Sequence, residues 1–153
     1  MKFNIPNSNQ CIILSPEVIE TFTLFCQDSK SSESGGLLFA DFCFPEIIVK
    51  LATKPNNKDI CSRFSFIPCR NIQRKTIYDK FKTNLHYIGE WHTHPILNPM
   101  PSNLDINSMK ETFIKSKHEL NFLLMIIVGS SKDNLRLWCS LHNAKEMIQL
   151  HGV

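Results

Sequence analysis

The chain has 153 residues, 42% of them hydrophobic and 20% charged, with a formal net charge of +3. That length suits one domain, which buries roughly 70% of the surface its unfolded chain exposes, so an ordinary apolar core can hold it. So small a charge gives no argument for a nucleic-acid or membrane partner, neither of which is expected, and no run of 18 apolar residues is present to cross a bilayer.

Residues 11–14, CIIL, form a short apolar run fit for a strand. Ser15, Pro16 and Glu17 then read as an N-cap followed by proline at the first helical position. Val18, Phe22 and Phe25 recur at helical spacing, so a helix is expected over 16–28. DSKSSES reads as a polar loop, and GGLLFADFCF and EIIVKLAT as two strands parted near Pro45. KPNNKD is a turn-rich connection, and SRFSFIP alternates as a half-buried strand does. Ile77, Tyr78 and Phe81 among polar residues predict a helix over 70–83, with Arg70, Arg74, Lys75, Lys80 and Lys82 as its solvated face.

HYIGEWHTH is the next expected strand. SNLDINSMKETFIKSK opens on a serine N-cap and places Ile106, Met109, Phe113 and Lys117 at helical spacing. ELNFLLMIIVGS is nearly all apolar, as befits a strand covered on both faces. NLRLWCSLH is expected as the last strand, and the tail from Asn143 as a short helix. The order mixes helices with consecutive strands, which predicts an α/β or α+β fold around one central sheet.

The cysteines, Cys11, Cys26, Cys43, Cys61, Cys69 and Cys139, form no C-x-x-C pair, so no zinc ribbon or thioredoxin motif is present. Most lie in apolar runs, and a reduced, cytoplasmic setting is expected. The N-terminal MKFNIPNSNQ has no apolar core of signal-peptide length.

The informative stretch is GEWHTHPILNPMPSNLD, residues 89–105. Strand side chains alternate faces, so His92 and His94 point one way and Thr93 and Trp91 the other, with Trp91 expected in the core. Pro95, Pro99 and Pro101 stiffen the loop that follows. Ser102 and Asp105 share the first turn of the next helix. A stiff loop returning Asp105 toward two imidazoles would assemble three ligands and leave a fourth tetrahedral position for water, as a catalytic zinc site requires. Each piece alone has a plainer reading. S-x-x-D at a helix start is a capping box, and an isolated H-x-H is common by chance. Both pieces with three prolines within 14 residues are harder to assign to chance. The H-x-H-x-D-H pattern of zinc β-lactamase-type hydrolases fails at Ile96 and Leu97, and no H-E-x-x-H occurs.

The stretch resembles the motif of the JAMM metalloprotease family, also called JAB or MPN+ domains: an upstream glutamate, then H-[S/T]-H-x7-S-x2-D. His92-Thr93-His94, Ser102 and Asp105 match it without a gap, and Glu33 in SSESGGLLF stands at the upstream position. The resemblance implies a cytidine-deaminase-like/MPN core, a central mixed sheet flanked by helices, with residues 1–153 as one JAB/MPN+ domain. It implies Zn²⁺ held by His92, His94 and Asp105, Glu33 as the acid/base and Ser102 as donor to the oxyanion. Glu90, on the same strand face as the histidines, is a rival base or a residue that orients a ligand histidine. His86, His118, His142 and His151 have no partner spacing.

YIGEWHTHP is similar to small prokaryotic JAB proteins of ubiquitin-like conjugation and antiviral-defence operons. Such a protein is expected to hydrolyse a peptide or isopeptide bond after the extended C-terminal tail of a ubiquitin-like or similarly conjugated protein. E1- and E2-like enzymes of the same operon are the implied partners. Two alternatives stand beside it: a protease that processes a sulfur carrier, and a non-catalytic MPN scaffold. A RadC-like protein is a more distant resemblance.

Overall fold

A computed structural model describes residues 1–28 and 30–153, and residue 29 of the expected DSKSSES loop lies outside them. The elements run β1 (Lys2–Asn4), β2 (Cys11–Leu14), α1 (Pro16–Phe25), β3 (Gly35–Cys43), β4 (Glu46–Ala52), β5 (Ile60–Ser62), β6 (Ser65–Ile67), α2 (Arg70–Phe81), β7 (His86–Thr93), α3 (Asn103–Lys115), β8 (Leu123–Val128), β9 (Leu137–His142) and β10 (Met147–Leu150). Eight strands make one sheet in the order β1-β2-β4-β3-β7-β8-β9-β10. The β2–β4 and β7–β8 pairs are parallel and the others antiparallel, so the sheet is mixed, as expected. β5 and β6 form a separate two-stranded hairpin.

The centre of the sheet is buried on both faces. Leu124, Ile126 and Val128 of β8 join Trp91 and the α1 residues Val18 and Phe22 in the larger core. Leu123, Met125 and Ile127 point the other way and pack with Met109 of α3. All six β8 residues are buried, which explains its unbroken apolar run. Trp91 lies in the α1-side core, its ring 5.1 Å from that of Phe22, and its indole N–H donates to the Thr53 carbonyl at 3.0 Å. Burying a side chain of that size contributes about 2–3 kcal/mol and fixes which face of β7 turns outward.

Several expectations change. α1 stops at Phe25 rather than residue 28, because the Cys26 backbone turns extended (φ −51°, ψ 125°) and its thiol donates to the Gly129 carbonyl at 2.9 Å. α2 stops at Phe81 rather than residue 83, since Asn84 takes a left-handed φ of 60°. The tail is not helical: Asn143 accepts from the N–H groups of Lys145 and Glu146, closing a turn that sends β10 back along β9. β9 is therefore not the last strand. β1 is an additional edge strand on β2. Ser15 stands at the α1 N-cap, but its hydroxyl caps no helix N–H.

Candidate metal centre

The site forms where β7 ends. β7 pairs with β3 so that Gly35 lies opposite His92, and it runs parallel to β8 with His92 opposite Ile127. The His94 N–H donates to the Val128 carbonyl at 2.9 Å, extending that ladder past the strand's end. Both imidazoles thus sit on a backbone pinned from two sides, turned away from the Trp91 core. The proline-rich loop then passes over the end of β8, where the Ser130 N–H donates to the Ile96 carbonyl at 2.9 Å. A Cβ on Gly129 would lie 2.5 Å from the Leu97 carbonyl oxygen, so glycine is what lets the loop approach this closely.

That loop delivers Ser102 to the start of α3. The Asp105 N–H donates to the Ser102 hydroxyl oxygen at 3.1 Å, and the Asp105 carboxylate accepts from the Ser102 N–H at 2.7 Å, a complete capping box. The same carboxylate faces the histidines, with Oδ1 3.3 Å from His92 Nε2 and Oδ2 3.5 Å from His94 Nε2. The two Nε2 atoms are 3.1 Å apart. The helix cap and the candidate donor set therefore share one side chain.

The donor atoms of His92, His94 and Asp105 all lie within 4.8 Å of one another, and the three residues are half-buried. Donors at about 2.0–2.1 Å from a tetrahedral zinc ion stand about 3.3 Å apart, so two imidazoles and a carboxylate with this spacing suit it. Burial raises the Asp105 carboxyl, but hydrogen bonds and charge from His92 and His94, with the Ser102 hydroxyl, outweigh it and hold the group far below the usual carboxylate range. Burial lowers the His94 imidazole, yet the hydrogen bond and charge of Asp105 and the charge of Glu33 carry it above the ordinary value. Asp105 is thus held as a carboxylate beside the two imidazoles, the form in which it can serve as a metal ligand.

Glu33 joins this group from 59 positions upstream of His92. It precedes β3, its N–H donates to the Ser62 carbonyl of the hairpin at 2.7 Å, and it is 6% exposed. A Cβ on Gly35 would meet the Phe66 ring at 2.7 Å, so the glycine lets the hairpin close over this segment. Glu33, His92, His94, Ser102 and Asp105 all line one cleft of about 610 Å³. Burial pushes the Glu33 carboxyl up, and the charges of His92 and His94 only partly reverse it. A carboxylate raised this way is a better proton acceptor than an exposed one, as a general base requires.

Glu90 also faces the cleft, on the expected strand face. Its carboxylate accepts from the Arg70 guanidinium at 2.9 Å and from the Tyr87 hydroxyl at 3.5 Å. Among the described residues its side-chain hydrogen-bond partners are thus Arg70 and Tyr87, not a histidine. Arg70 opens α2 and is the one lysine or arginine among the described residues lining the cleft. Sequence reasoning placed it only on a solvated helix face. Its position at the start of a helix, three residues after the alternating SFI run, carried no signal for the site. Exposed apolar side chains rim the same cleft: Phe64 and Ile67 from the hairpin, Ile96 from the loop and Leu104 from α3. Among the described residues, no helix is long and apolar enough to cross a membrane.

The chain is similar to several known proteins. The family model described as prokaryotic homologs of the JAB domain matches residues 15–140. A protein of Enterobacter hormaechei subsp. hoffmannii named CD-NTase/cGAS isopeptidase is 31% identical over 121 residues, covering 77% of this chain and 67% of its own. An Escherichia coli protein of the same name is 28% identical over 130 residues, covering 79% and 77%. A solution structure of a Desulfitobacterium hafniense protein superposes with a TM-score of 0.68 at 19% identity, over 90% of this chain and 88% of that one, a likeness of fold. Motif, fold and family match converge: the chain belongs to the prokaryotic JAB-domain family.

Proposed function

We propose that this protein is a zinc-dependent isopeptidase that releases a CD-NTase-type or ubiquitin-like protein from conjugates formed through its extended C-terminal tail. The observation that carries the reading is the convergence of three donor atoms within 4.8 Å in a cleft that also holds Glu33. The names of the relatives support the isopeptide bond as the target and a CD-NTase as the conjugated protein. A full ligand set argues for an enzyme over a non-catalytic scaffold. We assign residues 1–153 to one JAB/MPN+ domain working in the cytoplasm, in an antiviral-defence operon beside E1- and E2-like enzymes.

His92, His94 and Asp105 would hold Zn²⁺, which when bound supplies an activated water and polarises the scissile carbonyl. Glu33 accepts the proton of the attacking water and returns it to the departing lysine amine, a role worth about 10²–10⁴-fold. The Ser102 hydroxyl hydrogen, directed at Asp105 at 2.7 Å in this structure, turns to the carbonyl oxygen as charge develops there, an interaction typically worth about 3 kcal/mol. The apolar rim of Phe64, Ile67, Ile96 and Leu104 excludes water around the tail. No covalent acyl-enzyme is required, so the cysteines stay outside the chemistry.

The test is cleavage of a fluorescent lysine peptide joined through its ε-amine to the C-terminal segment of a CD-NTase. Release of the free tail by the zinc-loaded protein, and none after chelation, is the expected result. Equal release after complete zinc removal overturns the metal assignment. No release from this conjugate, with release from a sulfur-carrier fusion, moves the substrate to that class.

A further inference from the structure

The segment that carries Glu33 has no helix or strand of its own over residues 31–34. The hairpin that it touches is two-stranded, an arrangement marginal in isolation. Something must fix both against the strand of the metal ligands. Gln27, just beyond α1, is 1% exposed and makes three side-chain hydrogen bonds. Its amide NH₂ donates to the Ser31 carbonyl at 2.8 Å and to the Arg63 carbonyl, in the hairpin turn, at 3.0 Å. Its amide oxygen accepts from the Thr93 hydroxyl at 3.2 Å. Two carbonyl partners on one side and a hydroxyl on the other allow only this orientation of the amide.

Thr93 stands between the two histidines, is fully buried and points away from the cleft. Having given its one hydroxyl hydrogen to Gln27, it accepts from the Ser34 N–H at 2.9 Å, while its own N–H donates to the Ser34 carbonyl at 2.8 Å. Glu33 is bracketed by these bonds and by its own to Ser62.

We propose that Gln27 is a positioning residue for Glu33: through Thr93, Ser31 and Arg63 it locks the base-bearing segment and the hairpin to the strand that carries the metal ligands. The hydroxyl between the histidines is then explained, since serine or threonine can make both bonds and valine can make neither. The proposal rests on Glu33 as the base, and its main test needs no cleavage.

The test compares Gln27→Met, Thr93→Val and Thr93→Ser by residue-resolved amide hydrogen exchange on the whole chain, with zinc content measured alongside. In Gln27→Met and Thr93→Val, the Glu33 and Ser34 amides should exchange about tenfold or more faster, the loss expected for a buried hydrogen bond. The β8 amides, Leu123–Val128, should keep their protection, and Thr93→Ser should match the wild type. Unchanged exchange at Glu33 and Ser34 overturns the proposal. So does equal loss across β8, which would be a general role in folding, or a Thr93→Ser variant as labile as Thr93→Val, which would make the methyl the active feature. On the CD-NTase-tail conjugate, Gln27→Met should lower kcat at unchanged KM, and a rise in KM alone overturns the assignment. Should Gln27→Met not fold, the Thr93 pair decides. A failed zinc assignment shows in metal content, and a misassigned base in Glu33→Gln, both independent of the exchange result.

Discussion

Asp105 accepts two hydrogen bonds from Ser102, one from its backbone N–H and one from its hydroxyl, each at 2.7 Å, while the same carboxylate faces two imidazoles. One side chain therefore starts a helix and completes a donor set, and substitution separates the two duties. Ser102→Ala removes the cap hydroxyl and should lower stability by about 1 kcal/mol, with zinc per chain unchanged. Cleavage should fall by about 10²–10³-fold, the loss typical of an oxyanion donor. Calorimetry, elemental analysis and a rate assay read the three effects; loss of zinc in Ser102→Ala would mean that the cap, not the ligands, builds the site.

The metal assignment predicts about one zinc per chain in the wild type and none in the His92→Ala, His94→Ala double variant. Binding to the folded state alone stabilises by about 4 kcal/mol at a thousandfold excess over Kd. Zinc should therefore raise the melting temperature of the wild type and leave the double variant unmoved. Equal zinc content in the two proteins defeats the assignment.

Glu33 and Glu90 both reach the cleft, but their surroundings differ. Glu33 is buried with its carboxyl raised, whereas Glu90 is paired with Arg70 at 2.9 Å. Glu33→Gln should retain zinc and lose about 10²–10⁴-fold in cleavage. Glu90→Gln still accepts from Arg70 and should lose less than about tenfold, the loss of charge alone being small for a partly exposed pair. The reverse ranking would transfer the role of base to Glu90.

What the sequence made legible was what is local. His92 and His94 share a face because strands alternate, and Ser102 and Asp105 share a turn because helices return after three residues. Trp91 was expected in the core by the same alternation. Glu33 was found only through the family motif, since its approach to the histidines depends on β3 pairing with β7 across more than fifty residues. Gln27 left no trace, because its partners Ser31, Arg63 and Thr93 meet only in three dimensions. β1 and β10 are three and four residues long, too short for periodicity to declare itself, and pairing with a neighbour decides them. The pairing of Glu90 with Arg70 was not legible, because Arg70 arrives from α2, a helix whose docking no local pattern encodes.

The last prediction concerns a histidine outside the site. His142 is 1% exposed on β9, and its Nε2 lies 2.9 Å from the Ser140 hydroxyl. The Trp138 indole N–H donates to that hydroxyl at 3.1 Å, so the hydroxyl hydrogen is free to be given to a neutral His142 Nε2. Burial lowers the His142 imidazole from 6.5 to about 4. The unfolded chain then binds a proton that the folded chain refuses between those values, so stability is full above pH 6.5 and is lost as pH falls toward 4. The limit of this loss is about 3 kcal/mol. Other groups work in the same range. The raised His94 imidazole gives stability below its unfolded value that disappears as pH rises, and the depressed Asp105 carboxyl loses its contribution only at lower pH. Metal binding is itself pH-dependent, so the measurement belongs to chelated protein. Urea unfolding of wild type and His142→Gln from pH 7 to pH 4 cancels the shared groups. The difference between the two should shrink steadily as pH falls, because glutamine keeps an acceptor for Ser140 and cannot take up the proton. A difference that stays constant over that range would show that His142 is not the buried neutral group this geometry describes.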